Sequence, residues 1–386
     1  TRLFQVGCLN INPIAPSRVH PPNDTQAMTH SASESQAVER LVRQNIRSYA
    51  HNNIPRSIQA GYLRLHANES PFNSPENRYP DTALLRLKSQ WGCHEGIPPR
   101  CCYLCNGTEE AVDLAVRIFC EPGRDEVIAL RPSRGIYAKR ADLNGVGCRE
   151  VSLRPDDFSL DIDAVIENVR MNTKVIFLCN PNSPTGNLLS VDDIATLADL
   201  FSGIIVVDES YIEFAPKQSA VMLLNRHPNV LIIRSFSHAW ASAAIRMSVV
   251  VAYPNVVKYF ELMGMSHPIS TLCSDYAERL VKHRLDVDKW VRQLIDERGK
   301  VVLALKELPV CQRIYPSETN FIMVRMLQCQ EVVSYLNQQH IAVATCANHP
   351  SLADCVRITI SLPVDNSRLL GALRTYCELH KLNRNN

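Results

Sequence analysis

The chain has 386 residues, enough for a substantial core and for more than one domain. With 46% hydrophobic and 21% charged residues it has a globular composition, which excludes an intrinsically disordered chain. A formal charge of +2, from 41 Lys plus Arg against 39 Asp plus Glu, gives no electrostatic footprint for nucleic acid or an anionic membrane, so neither is expected as a partner.

The N-terminal residues lack the basic-then-apolar pattern of a signal peptide, and no apolar run is long enough to span a membrane. The 14 cysteines are scattered through core-like segments. They read as buried free thiols in a reducing compartment, so a cytoplasmic protein is expected. The close cluster "CCYLC", with Cys101, Cys102 and Cys105, has no second Cys/His pair at metal-ligand spacing. It reads as a strand entering a turn, and no metal site is expected.

In chain order, residues 1–55 read as a polar, Pro-containing arm followed by a helix in "SESQAVERLVRQNIRSY", whose Val38, Leu41, Val42 and Ile46 fall along one side. "LRLHANESPFNSPENRYPD" starts with strand character and becomes a loop rich in Asn, Ser and Pro. From about residue 82 to 250, helices such as "GTEEAVDLAVRIF" and "SVDDIATLADLF" alternate with "DEVIAL", "KVIFLCN", "GIIVVDES" and "NVLIIRSF". Those short, continuously apolar runs are the pattern of strands covered on both faces. The expected fold is therefore α/β, with a mostly parallel sheet sandwiched by helices over residues 56–284.

"IIRSFSHAWASAAIRM" reads as a strand, a polar turn and a small-residue helix carrying Arg246. A long, bent helical stretch then leads away from the sheet. Strand, helix, strand and helix follow, predicting a smaller α/β domain over 285–386.

Ligands of such sheets lie beyond the C-terminal strand ends. There "VVDESY" places Asp208 and Tyr211, "CNPNSPTG" places Asn182, Ser183 and Thr185, "CNGTEE" places Thr108, and "RSFSHAW…IR" places Ser235, Ser237, His238 and Arg246. Any one of these fits a capped turn. Together they describe a cavity for a small molecule with an anionic group at one end and a basic nitrogen at the other, with Arg357 of "CVRITIS" facing it from the smaller domain.

The ordered series "HANE…NRYP…NGTEE…NPNSPTG…VVDESYIEF…SFSHAW…IR…ETNF…VRITIS" resembles the fold type I pyridoxal-phosphate (PLP) enzymes, and most closely the histidinol-phosphate aminotransferases. The resemblance implies an aspartate-aminotransferase-like architecture with a seven-stranded sheet. It implies that Asp208 pairs with the pyridine nitrogen and Tyr211 with the ring hydroxyl. The phosphate falls to Gly107, Thr108 and Glu109, to Ser235 and Ser237, and to Arg246. It implies that Tyr79 reaches the phosphate of a neighbouring subunit in a homodimer with shared sites, and that Asn320 and Arg357 bind substrate.

The departures from that family are concentrated at the ring. His238 stands where the resemblance places the Schiff-base lysine, and an imidazole forms no aldimine. It retains the capacity to take up a proton. Arg134 replaces the stacking Tyr, and Ser183 the Asn beside the ring hydroxyl. Ala244, Ser248 and Ser361 stand where the family has glycine. Gly is scarce overall, 14 of 386 against the roughly 7% usual for globular chains, and several losses fall where backbone approaches a ligand. The expected function is an atypical aminotransferase-like protein that binds PLP, its aminated form PMP, or a similar anionic metabolite non-covalently, with His238 as acid or base. Two alternatives stand beside it: an inactive homologue that serves as a binding or partner protein, and a PLP-independent enzyme acting on an anionic, amino-acid-like metabolite.

Overall fold

The computed structural model describes residues 37–50, 63–81, 84–215, 219–347 and 349–382. Most of the arm expected over residues 1–55 lies outside them. Seven strands form the large sheet: β1 (Cys102–Cys105), β2 (Glu126–Arg131), β3 (Gly147–Ser152), β4 (Thr173–Cys179), β5 (Ile204–Asp208), β6 (Val230–Ser235) and β7 (Ser248–Val251). Their order is β1-β7-β6-β5-β4-β2-β3. The pairs β6–β5, β5–β4, β4–β2 and β2–β3 are parallel, while β7 runs antiparallel to both β6 and β1. Only β7 therefore runs against the rest, as a mostly parallel sheet requires.

The continuous apolar runs serve two cores at once. Ile204 and Val206 of β5 point into one cluster and Ile205 and Val207 into the other, because successive strand side chains alternate between faces. Helices α1 (Gln44–Ala50), α2 (Leu85–Glu95), α3 (Thr108–Phe119), α4 (Ile136–Leu143), α5 (Ile162–Glu167), α6 (Val191–Leu200), α7 (Pro254–Met263) and α8 (Thr271–Lys282) accompany the sheet. Val38, Val42 and Ile46 are buried as their spacing predicts. The helix drawn through them is nevertheless interrupted, because the Arg43 amide leaves the helical ladder to donate to the Ile118 carbonyl at 3.0 Å.

The long helical stretch breaks at His283, between α8 and α9 (Arg284–Lys306). Beyond it lie β8 (Cys311–Ile314), β9 (Phe321–Met326), α10 (Cys329–Gln338), β10 (Ala344–Thr345), β11 (Cys355–Thr359) and α11 (Pro363–Leu379). They form an antiparallel sheet of order β10-β11-β9-β8 with its own apolar cluster. β8 and β10 are additions to the expected strand–helix–strand–helix series. "CQRI" and the two-residue "AT" carry too little apolar pattern to be recognised alone.

The segment after β6 corrects the sequence reading. It is not a helix: it turns through left-handed Ala241 (φ 49°), makes a short 3-10 turn over Ala243–Ile245, and reaches left-handed Arg246 (φ 50°) before β7. Two such residues in this short span stop helical propagation. Arg246 is thereby carried back to the strand ends. Among the described residues no helix is long and apolar enough to cross a membrane.

Candidate active site

A cavity of about 460 Å³ opens where the C-terminal ends of the large sheet meet β10 and β11. Its walls include Arg131 at the end of β2 and Arg134 just after it, Ser183 after β4, Tyr211 after β5, His238 after β6, and Arg357 from β11. Five side chains expected from sequence thus converge: Arg134, Ser183, Tyr211, His238 and Arg357. No lysine is among the described residues that line it.

Asp208 lies behind Arg134, fully buried. One carboxylate oxygen accepts from Arg134 Nη1 at 2.5 Å and from the Tyr137 hydroxyl at 2.9 Å. The other accepts from the backbone amide of Ser210 at 3.1 Å and from its hydroxyl. Burial alone disfavours the carboxylate, and the adjoining guanidinium offsets that cost. Tyr137 itself is fixed by stacking on Phe177 at 5.1 Å, and burial pushes its phenol well above the usual range. Sequence inspection missed both Tyr137 and Ser210. The Tyr is one of two buried residues of α4, with Ala141, and the Ser looks like an ordinary turn residue in "DESY".

Tyr211 stacks on the His238 ring (4.4 Å between centroids, 20° apart) and meets Phe321 edge-on at 5.3 Å. Burial lowers the His238 pKa to about 4, assisted by the charges of Arg134, Arg357 and Arg246 and opposed by Asp208. The imidazole is therefore neutral at physiological pH and stands among cations. Arg357 donates to the Ser183 hydroxyl at 3.0 Å, and its guanidinium carbon lies 5.1 Å from the Phe321 ring centre.

An anion seat adjoins this cluster. Gly107 has φ +84°, and a Cβ there would lie 2.6 Å from Arg246 Nη2, so the guanidinium rests directly against the glycine backbone. Arg246 donates to the Ala243 carbonyl at 3.2 Å and makes no ion pair among the described residues. Thr108 Oγ1 lies 3.1 Å from Ser210 Oγ and 3.3 Å from Ser248 Oγ. Ser235 Oγ accepts from the Ser237 amide at 3.1 Å. Of the remaining expected residues, Glu109 turns to Arg140, which holds its carboxyl below the usual range. Tyr79 stacks on His267 at 4.8 Å, outside the cavity walls. The Asn320 side-chain oxygen is buried without a hydrogen-bond partner among the described residues.

Behind the site lies a buried ionic network that sequence inspection also missed. Arg234 reaches Glu95 at 2.8 Å, Glu213 at 3.2 Å and Glu209 at 3.5 Å. Arg284 also binds Glu95, at 3.3 Å, and lies 4.6 Å over the Trp240 ring. Burial raises Glu209 to about 6 against the pull of Arg234. Arg234 immediately precedes Ser235 and Glu209 immediately follows Asp208, so strand alternation sends each charged neighbour away from the cavity. The signal available was charge inside otherwise apolar runs: "IIRSF" and "VVDESYIEF".

The residues present fit PLP at one end only. A glycine turn, several hydroxyls and an unpaired guanidinium suit its phosphate. The ring end does not fit, because Arg134, Tyr137 and Ser210 already use both oxygens of the Asp208 carboxylate, and among the described residues that line the cavity there is no lysine.

Residues 76–373 match the family described as aminotransferase class I and II. The chain is 36% identical to histidinol-phosphate aminotransferase of Parabacteroides distasonis over 310 residues, covering 80% of this chain and 90% of that protein. It is 34% identical to the enzyme of that name from Cytophaga hutchinsonii, covering 88% and 99%. Histidinol-phosphate aminotransferase structures from Clostridium acetobutylicum and from Sinorhizobium meliloti, the latter in complex with pyridoxal-5'-phosphate, superpose with TM-scores of 0.72. They cover 79% and 94% of this chain, and 92% and 99% of their own chains, at 21% identity each, which shows a shared fold. By matched span and by close relatives, the chain belongs to the class I and II aminotransferases, the PLP-dependent fold type I family that its motif order announces.

Proposed function

We propose that this chain is an atypical aminotransferase relative that binds a small phosphorylated or carboxylated metabolite without an internal aldimine. The observation that carries the reading is the side chain that lies in the fields of Arg246 and Arg357, two guanidinium groups without a carboxylate partner among the described residues. It is the neutral imidazole of His238, and no lysine lines the cavity among the described residues. Relatives named histidinol-phosphate aminotransferase act on a phosphorylated amine, so an anionic ligand agrees with the lineage.

The chain's own groups divide the work. Arg246 and the Gly107–Thr108 turn hold one anionic group, and Arg357 with Ser183 holds the other. Tyr211 fixes the plane of the His238 ring by stacking. A neutral imidazole accepts a proton from a ligand group that meets its unprotonated nitrogen in the ring plane, and the incoming negative charge stabilises the resulting imidazolium. PLP and PMP enter this reading as phosphate-bearing ligands, and the homodimer implied by the resemblance is part of it.

The test is titration of the purified chain with PLP, then borohydride reduction and peptide mass analysis. The expected result is no reduced PLP adduct on any lysine and saturable binding of a small phosphorylated acid by calorimetry. A stoichiometric lysine adduct, or no anion binding at all, overturns the proposal.

A further inference from the structure

We propose that Arg134 determines which ligands the cavity accepts: its ion pair with Asp208 closes that carboxylate to a positively charged ring nitrogen, so that the site takes a non-aromatic molecule with two anionic groups. The inference rests on the anion-binding reading and names the ligand class for the same cavity.

An ionised carboxylate offers about four lone-pair positions. Asp208 receives donors from Arg134 Nη1, the Tyr137 hydroxyl, the Ser210 amide and the Ser210 hydroxyl, which satisfies it. The pair also cancels its own charge. A cationic nitrogen arriving there gains no free acceptor, and to reach Asp208 it must expel a guanidinium into a half-buried wall. Arg134 is firmly based. The loop before it is tied to the turn after β4, because Ser133 Oγ donates to Asn182 Oδ1 at 2.7 Å and Asn182 Nδ2 donates to the Pro132 carbonyl at 2.8 Å.

With Arg134 neutralised, the charges left for a ligand are Arg246 and Arg357, neither of which has a carboxylate partner among the described residues. Arg246 stands against the Gly107 backbone in the adjoining anion seat, and Arg357 stands beside Ser183 on the cavity wall. His238 lies within the fields of both. One anionic group at each end and a neutral, hydroxyl-bearing middle over the imidazole match this arrangement. A phosphorylated carboxylic acid has that chemistry.

Three probes distinguish the possibilities by calorimetry at neutral pH on the full chain. They are 3-phosphoglycerate, PMP, and the analogue of PMP in which CH replaces the ring nitrogen. In the wild type 3-phosphoglycerate binds, while PMP and its carbon-ring analogue bind equally and at least about tenfold more weakly. In Arg134→Tyr, PMP gains about tenfold over the analogue, because Asp208 is released to the ring nitrogen. A wild type that already prefers PMP over the analogue by about tenfold overturns the role of Arg134 and leaves anion binding standing. A wild type that binds none of the three, with a variant that gains PMP, keeps the role of Arg134 and overturns the anion-binding reading. No binding in either protein overturns both. Should Arg134→Tyr fail to give a cooperative melt, the wild-type comparison of the two ring compounds decides alone.

Discussion

At the scale of single residues, His238 shows how surroundings set chemistry. Its pKa of about 4 lies below the ordinary value of 6.5, so the folded chain keeps the imidazole neutral where the unfolded chain protonates it. Its contribution to stability is complete above pH 6.5 and is lost as the pH falls toward 4. Urea unfolding of wild type and His238→Gln should therefore show a difference in midpoint that changes across that window and is constant above it. A parallel prediction concerns ligand. An anion offsets the fields of Arg134, Arg246 and Arg357 and raises the imidazole pKa, so binding takes up a proton and tightens as the pH falls below neutrality. Calorimetry in buffers of different ionisation enthalpy measures that uptake. His238→Lys alone should yield little borohydride-reducible PLP adduct, because Arg134 still occupies Asp208. His238→Lys with Arg134→Tyr should yield much more, and equal yields would remove Arg134 from the account.

At the scale of elements, the C-terminal ends of β5 and β6 each turn one residue, Asp208 or Ser235, toward the site, and its charged neighbour, Glu209 or Arg234, away from it. The strands that carry Asp208 and Ser235 are thus cross-tied behind the site through Glu209 and Arg234. Arg234→Met leaves Glu95, Glu209 and Glu213 sharing a buried region without their central cation, and should cost about 3–5 kcal/mol, read by chemical denaturation. The sign of its pH dependence follows from Glu209. A carboxyl raised to about 6 contributes stability below its ordinary value of 4.5 and loses it as the pH rises through 6. Removing the cation strengthens that trend, so the deficit of Arg234→Met should shrink on acidification through this range. A deficit that grows in acid would show that the three carboxylates are not its source.

At the scale of the whole molecule, the cavity exists because two sheets meet, and Gly186 lies at their junction. With φ +84° and a notional Cβ 2.9 Å from the Ser317 Cβ, it permits backbone from the large-sheet loop to lie against the segment leading to β9. The Glu318 amide donates to the Gly186 carbonyl at 2.8 Å across that junction. Gly186→Ala should wedge the walls apart, cost about 1–2 kcal/mol for its backbone conformation, and weaken anion binding about tenfold or more through loss of the Arg357 wall. Loss of binding with an unchanged melting temperature would separate the two effects.

Much of this architecture is legible in the chain. β4, β5 and β6 announce themselves as apolar runs, and their polar ends name Ser183, Asp208, Tyr211, Ser235 and His238. What was not legible required three-dimensional pairing. No periodicity tells that Tyr137 of α4 faces Asp208, or that Arg134 turns inward to a carboxylate far along the chain instead of outward to water. The supposed helix after "SFSHAW" failed for a local reason, since composition favours helix while Ala241 and Arg246 adopt left-handed backbone.

The bond from Arg357 to Ser183 has a kinetic meaning. It is a latch that the ligand loosens, since the one Arg357 N–H given to Ser183 leaves the others for an anion, which draws the guanidinium toward itself while Ser183 stays beside it. Release reverses the order, with Ser183 ready to recapture Arg357 as the anion departs. Weakening the latch in Ser183→Ala should therefore speed entry more than exit, a difference that stopped-flow mixing reads directly.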